Sequence, residues 1–247
     1  MIIREPCGPG LGPASGPGDV SLLLCLLAAP IALAFWGGQR VRRAISRVTA
    51  HAEMGDVLSN GSPDAILLID TSPSMKSTDW PPSRLAAAQK SAKRYVKRLA
   101  TQHPEARIAV VAYNEQATIL CVFTSMKRID AVCRAIDRIC TGPCTNITAG
   151  LQAAEKLLSH EEGPCHLVVL SDGCHNTGPG PEATAARLRD RAVIECVGIA
   201  ERNEVHEELL KSIASSYPDG RKRYRWIGDP VQLERHLDAL ARGITKS

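Results

Sequence analysis

Aromatic side chains are scarce in this chain. They make up 4% of its 247 residues, with two Phe and three Trp. A core built on stacked rings is excluded, and Leu, Ile, Val and Ala must fill the interior. A large excess of one charge is also missing. The net charge of +4 is too mild to argue for nucleic acid by itself. Paired cysteine spacings are absent as well. The nine cysteines are odd in number and scattered, which excludes a disulfide framework and points to a reducing compartment around the main domain. Cys121, Cys165 and Cys196 fall in or beside apolar runs, where a free thiol packs as a small hydrophobe. There is no internal repeat, and no membrane-length apolar run near the C-terminus.

What is present is a globular composition, 44% hydrophobic and 23% charged. It suits one α/β domain of ordinary size with extra segments. Residues 1–19 are rich in Gly and Pro without periodicity and are expected to be disordered. Residues 20–36 form an almost unbroken apolar run containing Pro30, at the lower length limit of about 17 residues for a membrane-spanning helix. Arg40, Arg42, Arg43 and Arg47 follow it, whereas Arg4, Glu5 and Asp19 precede it. The positive-inside rule then predicts a single-pass membrane anchor with everything after Trp36 in the cytoplasm. A cleaved signal peptide and a buried helix are the alternatives; Ala32-Leu33-Ala34 resembles a cleavage site, but a basic n-region is missing. Residues 37–63 read as a basic juxtamembrane connector, closed by the turn signal Asn60-Gly61-Ser62-Pro63.

From Asp64 to Gly243, strand-like apolar runs alternate with amphipathic stretches. Strands are expected at 65–69, 107–113, 118–123, 166–170, 193–199 and 223–227. Helices are expected at 83–100, 127–139, 147–158, 182–191, 204–214 and 231–241. Asn114-Glu115-Gln116 marks a hairpin between the second and third strands. The pattern predicts a doubly wound α/β fold: a mostly parallel six-stranded sheet, one antiparallel edge strand, and helices on both faces.

The chain is organised around Ile66-Leu67-Leu68-Ile69-Asp70-Thr71-Ser72-Pro73-Ser74. A wholly apolar run reads as a strand buried on both faces. It ends in an acid and two hydroxyls at alternate positions, at the carboxyl end where open α/β sheets place ligands. Thr145, in a loop before a helix, and Asp172, at the end of a later apolar strand, bring further oxygen donors to the same end. If those two strands are neighbours at the switch point, Asp70 and Asp172 face each other. Oxygen-only donors suit Mg²⁺ or Mn²⁺ and suit Zn²⁺ poorly. A zinc site from Cys140, Cys144, Cys174 and His175 lacks the usual ligand spacing.

Asp70-Thr71-Ser72-Pro73-Ser74 is similar to the Asp-x-Ser-x-Ser motif of von Willebrand factor A domains. Thr145, followed by Asn146-Ile147 and Gly150-Leu151, resembles that family's threonine motif, and Ser171-Asp172-Gly173 its aspartate motif. The resemblance implies a metal-ion-dependent adhesion site. Ser72 and Ser74 would ligate Mg²⁺ or Mn²⁺ directly, Thr145 directly or through water, and Asp70 and Asp172 mostly through water. A partner protein would supply an Asp or Glu to the open position. The segment Ser74-Met75, Asp79, Pro82, Arg84, Leu85 looks like bacterial membrane-anchored vWA proteins of the aerotolerance type. One departure is Pro143-Cys144, where that family usually has glycine before the threonine.

Each motif also has a plainer account. Asp79 and Arg84 read as a helix-entry acid and a surface base. Cys133 and Cys140 read as core thiols on one helix face. Arg221, Arg223 and Arg225 read as one charged face of an edge strand that blocks sheet-to-sheet pairing, with nucleic-acid binding the minority reading. The expected function is a metal-dependent protein-interaction module and not an enzyme. The alternative is a Mg²⁺-dependent phosphohydrolase with Asp70 as nucleophile, although Ser72 stands where its acid/base aspartate would be.

Overall fold

The computed structural model describes residues 64–161 and 165–243. The expected disordered segment, anchor and connector (1–19, 20–36 and 37–63) lie outside the described residues. Among the described residues no helix is long and apolar enough to cross a membrane.

Six strands, β1 (Asp64–Asp70), β2 (Arg107–Tyr113), β3 (Ala117–Ser125), β4 (Cys165–Ser171), β5 (Ala192–Ile199) and β6 (Tyr224–Ile227), form one sheet in the order β3-β2-β1-β4-β5-β6. Only the β2–β3 pair is antiparallel. The helices are α1 (Arg84–Gln102), α2 (Ile129–Asp137), α3 (Ile147–Leu158), α4 (Glu182–Leu188), α5 (Glu207–Ile213) and α6 (Pro230–Ala241).

The apolar run of β1 is explained by its place at the centre of the sheet. Leu67 and Ile69 enter a core layer with α1, α2 and α6, while Ile66 and Leu68 enter a second layer with α3, α4 and α5. Both faces are covered, so no position from Ala65 to Ile69 tolerates a polar side chain until the chain leaves the sheet at Asp70. β1 pairs with β2 on one side and β4 on the other. Strand order reverses there, which opens a crevice at the carboxyl ends of β1 and β4.

α1 begins at Ser83, whose Oγ accepts the Ala86 N–H at 3.1 Å, satisfying one donor left open by the first turn. Its buried stripe includes Leu85, Ala88, Ala92, Val96 and Leu99, as the sequence spacing predicts. Several element ends differ, and one turn is additional. The expected helix from 127 begins as a 3-10 turn, Met126–Arg128, and α2 starts only at Ile129. Residues 73–76 form a further 3-10 turn. α4 stops at Leu188. α5 starts at Glu207, not Glu204, because Glu204 is bonded to Arg84 and the His206 N–H donates to the Asp172 carbonyl at 2.9 Å.

β6 is an edge strand as expected, but its arginines do not form one exposed face. Arg223 is 5% exposed. It lies over the Tyr217 ring and 3.7 Å from Glu195. Its burial comes from these partners and not from alternation alone, since Arg225, two positions on and on the same side, is exposed. Cys140 is exposed beyond the end of α2 and is not a core thiol.

Candidate metal centre

Asp70 is fully buried at the end of β1. The Ser72 N–H donates to its Oδ1 at 2.8 Å and the Ser171 hydroxyl to its Oδ2 at 2.6 Å. Ser72 Oγ lies 3.0 Å from Ser74 Oγ, and Ser74 Oγ donates to Asp172 Oδ2. The Cys174 N–H holds the other Asp172 oxygen at 3.1 Å. Asp70, Ser72, Ser74 and Asp172 are therefore one connected group across the β1–β4 crevice, as the switch-point argument predicts. Gly173 turns the chain away with φ +79; a Cβ there would meet the His206 carbonyl at 3.0 Å.

Thr145 reaches this end of the sheet by a different route. Its N–H donates to Asn176 Oδ1 at 2.8 Å, and its carbonyl accepts the Asn176 N–H at 3.0 Å. The Ile147 N–H donates to His175 Nδ1 at 3.2 Å. The loop before it is tied to the first motif, where the Gly142 N–H donates to the Thr71 carbonyl at 2.7 Å. Thr71 itself points to β2: its hydroxyl donates to the Tyr113 carbonyl at 2.9 Å and accepts from Asn114 Nδ2 at 3.1 Å. The motif's polar residues thus divide, Ser72 and Ser74 toward the crevice and Thr71 toward the scaffold. Where a glycine is usual, Cys144 takes a left-handed φ of 54, so the loop keeps the backbone turn without the residue that makes it easy.

Sequence reasoning quoted Ser171 in the aspartate motif and Asn114 in the hairpin turn but gave neither of them, nor Asn176, a role at the site. Ser171 could have been found, since it precedes Asp172 at the strand end and has a hydroxyl at the right level. The two asparagines gave no signal, because their partners lie 43 and 31 residues away. Asp79 and Arg84 are corrected. Arg84 is 3% exposed; its Nε binds both Asp79 oxygens, at 2.9 and 2.8 Å, and its Nη2 binds Glu204. It is a buried tie between the segment after the serines and the β5–α5 loop, not a surface base. Burial pushes the Asp79 carboxyl up, but the Arg84 bonds outweigh that and hold it below the usual range.

The electrostatics of the crevice indicate what it can hold. Burial, and then the facing Asp172 carboxylate, raise Asp70 to about 7, against the opposing hydrogen bonds from Ser171 and Ser72. Among the described residues no Lys or Arg is bonded to either acid. Two acids with neutral hydroxyls between them and no cation make a costly arrangement. A hard divalent cation removes that cost, and the oxygen donors of Asp70, Ser72, Ser74 and Asp172 fit Mg²⁺ or Mn²⁺. No three His, Cys, Asp or Glu side chains converge among the described residues, so the cysteines and His175 do not assemble a zinc site.

The sequence model of the von Willebrand factor type A domain matches residues 64–225. The chain belongs to the von Willebrand factor A family. Members of this family are protein-interaction modules. The UPF0353 protein of Mycobacterium sp. (strain KMS) is 31% identical over 177 residues, covering 60% of this chain and 51% of that protein. The chain thus spans about half the length of the curated relatives it matches. Among solved structures, the conserved hypothetical protein BatB from Bacteroides thetaiotaomicron is similar, with a TM-score of 0.59 and 18% identity, over 74% of this chain and 99% of that one. An aerotolerance-related membrane protein from Bacteroides fragilis has a TM-score of 0.56 and 18% identity, over 73% and 99%. These likenesses establish the von Willebrand factor A fold.

Proposed function

We propose that this von Willebrand factor A domain is a metal-dependent adhesion module that takes up an Asp or Glu side chain of a partner protein. The observation that carries the reading is the buried pair Asp70 and Asp172, joined through two neutral serine hydroxyls and bonded to no Lys or Arg among the described residues. Ser72 and Ser74 present hydroxyl oxygens as direct ligands. Asp70 and Asp172 orient those hydroxyls and supply charge from behind, and Thr145 closes the site from the α3 side. Mg²⁺ or Mn²⁺ held mainly by neutral groups keeps much of its positive charge and an open coordination position, which an acidic side chain of the partner fills.

The same geometry argues against an enzyme. Asp70 is fully buried with both carboxylate oxygens hydrogen-bonded, so it does not present a free nucleophile to a phosphoryl group. In the whole chain the apolar run 20–36 and the arginines after it support a single-pass membrane anchor with this domain in the cytoplasm.

Mn²⁺ binding read by electron paramagnetic resonance tests the site. Wild type binds the ion, whereas Ser72→Ala/Ser74→Ala remains folded and does not. A partner captured with Mg²⁺ should be released by chelator and missed by the double variant. Equal Mn²⁺ binding by wild type and double variant would falsify the reading.

A further inference from the structure

The flank of the domain formed by α1 carries charge of one sign. α1 contains no Asp or Glu. Opposite its buried stripe stand Lys90, Lys93, Arg94, Lys97 and Arg98, spaced as one helical face over about 12 Å. Three acids answer them: Glu234 pairs with Lys90 and Arg94, Asp238 with Arg98, and Asp137 with Lys93. Five cations against three anions leave a surplus. The layering adds to it. The Glu234 and Asp238 side chains are only 16% and 10% exposed, at the floor of the groove between α1 and α6, while Lys90 and Arg94 stand out at 74% and 54%. Asp137, 53% exposed beside Lys93 at 31%, is the one acid of the three that stands outward. The outermost layer is therefore positive around Lys90, Arg94 and Lys97, and among the described residues no aromatic residue lines the groove.

We propose that this face of α1 lies on an anionic phospholipid surface. Phosphate and carboxylate headgroups attract clustered Lys and Arg without needing an inserted ring. Single-stranded nucleic acid is the poorer match, since its tight binding uses aromatic stacking. The proposal rests on the membrane reading above for the nearness of a bilayer, and is independent of the metal. It also fixes an orientation. α1 starts beside the metal end, where Arg84 binds Glu204, and runs toward the opposite end of the sheet, where the chain enters β1 at Asp64. With α1 flat on the bilayer, the metal end faces along the membrane plane. The acid it takes then comes from a protein seated beside it in or on the same membrane.

Lysine acylation read by mass spectrometry tests this on the full chain. The chain is mixed with vesicles of phosphatidylcholine alone or with phosphatidylserine added, with chelator present throughout. Labelling of Lys90, Lys93 and Lys97 should fall by about threefold or more on the phosphatidylserine vesicles only. Lys156 and Lys211, on α3 and α5 across the sheet, should not change. The protection should vanish in 1 M salt, where the screening length is about 3 Å. Arg94→Gln/Arg98→Gln, which keeps the three reporting lysines, should weaken it. Chain recovered on both vesicle types with no difference at these lysines overturns the proposal and leaves the anchor standing. Recovery with protection on phosphatidylserine vesicles alone supports the proposal and removes the anchor. No recovery on either vesicle type overturns both. Stronger protection by duplex DNA than by phosphatidylserine vesicles assigns the face to nucleic acid and overturns it too.

Discussion

The Ser171 hydroxyl donates to Asp70 Oδ2 at 2.6 Å and accepts the Gly173 N–H at 2.9 Å. One side chain thus fixes the acid at the end of β1 and the turn that carries Asp172. It bonds Asp70 directly and reaches Asp172 only through the turn, so both acids depend on it.

Ser171→Ala should weaken Mn²⁺ binding by roughly 10–100-fold, the usual cost of losing a group that orients a ligand. Titration of the variant followed by paramagnetic resonance measures this, and circular dichroism shows that the fold persists. Unchanged affinity would mean that Asp70 is held by the strand alone.

Arg84→Met should destabilise the domain by about 2 kcal/mol. That is below the 3–5 kcal/mol typical of a fully buried broken pair, because the Glu204 side chain is half exposed. Arg84→Lys should recover little, since a single ammonium cannot reproduce the Nε fork on Asp79 and the Nη2 bond to Glu204 together. Urea midpoints of the three proteins decide the matter.

The loop before Thr145 gives opposite expectations for two neighbouring positions. Cys144→Gly relieves a left-handed backbone and should raise stability by up to about 1 kcal/mol. Gly142→Ala puts a Cβ 2.3 Å from Asn114 Nδ2. Asn114 must then release Thr71, so both stability and metal affinity should fall. Thermal melts with and without Mg²⁺ separate the two effects.

His166 is buried, and that burial, with Arg223 and His236 nearby, lowers its pKa from 6.5 to about 3. The unfolded chain therefore takes up a proton near pH 6.5 that the folded chain refuses, and the group's contribution to stability is lost as pH falls from 6.5 toward 3. His166→Gln removes that term. The stability of wild type relative to this variant should drop by about 1.4 kcal/mol per pH unit below 6.5. Glu195 and the other titrating groups cancel in the difference. A pH-independent difference in urea unfolding between pH 7 and 4.5 would sink the account.

Much of this is legible in the amino-acid sequence. A strand buried on both faces has to be apolar throughout, so Ile66–Ile69 announced a central strand and made Asp70 conspicuous at its end. The adjacency of β1 and β4 is a condition of the switch-point argument that alternation alone does not fix; the strand order meets it, and Asp70 and Asp172 then face each other. Arg84 and Arg223 were misjudged for a common reason. Each is charged, and local pattern assigns charge to the surface. Their burial is set by Glu204, 120 residues from Arg84, and by Glu195 and Tyr217 around Arg223. Thr145 was legible as a loop residue, but its tie to Asn176 was not, because side-chain to backbone bonds between loops leave no periodic trace.

β1 joins the two ends of the domain in a single strand: the chain enters it at Asp64 and leaves it at Asp70. With a partner gripped at the metal end and the chain anchored ahead of Asp64, as proposed above, a force between the two is directed along that strand. Its parallel ladders to β2 and β4 are loaded in shear, so their hydrogen bonds resist together and do not open one at a time as in a peeled hairpin. A module that grips at one end and is tied at the other carries its load along its most deeply buried element.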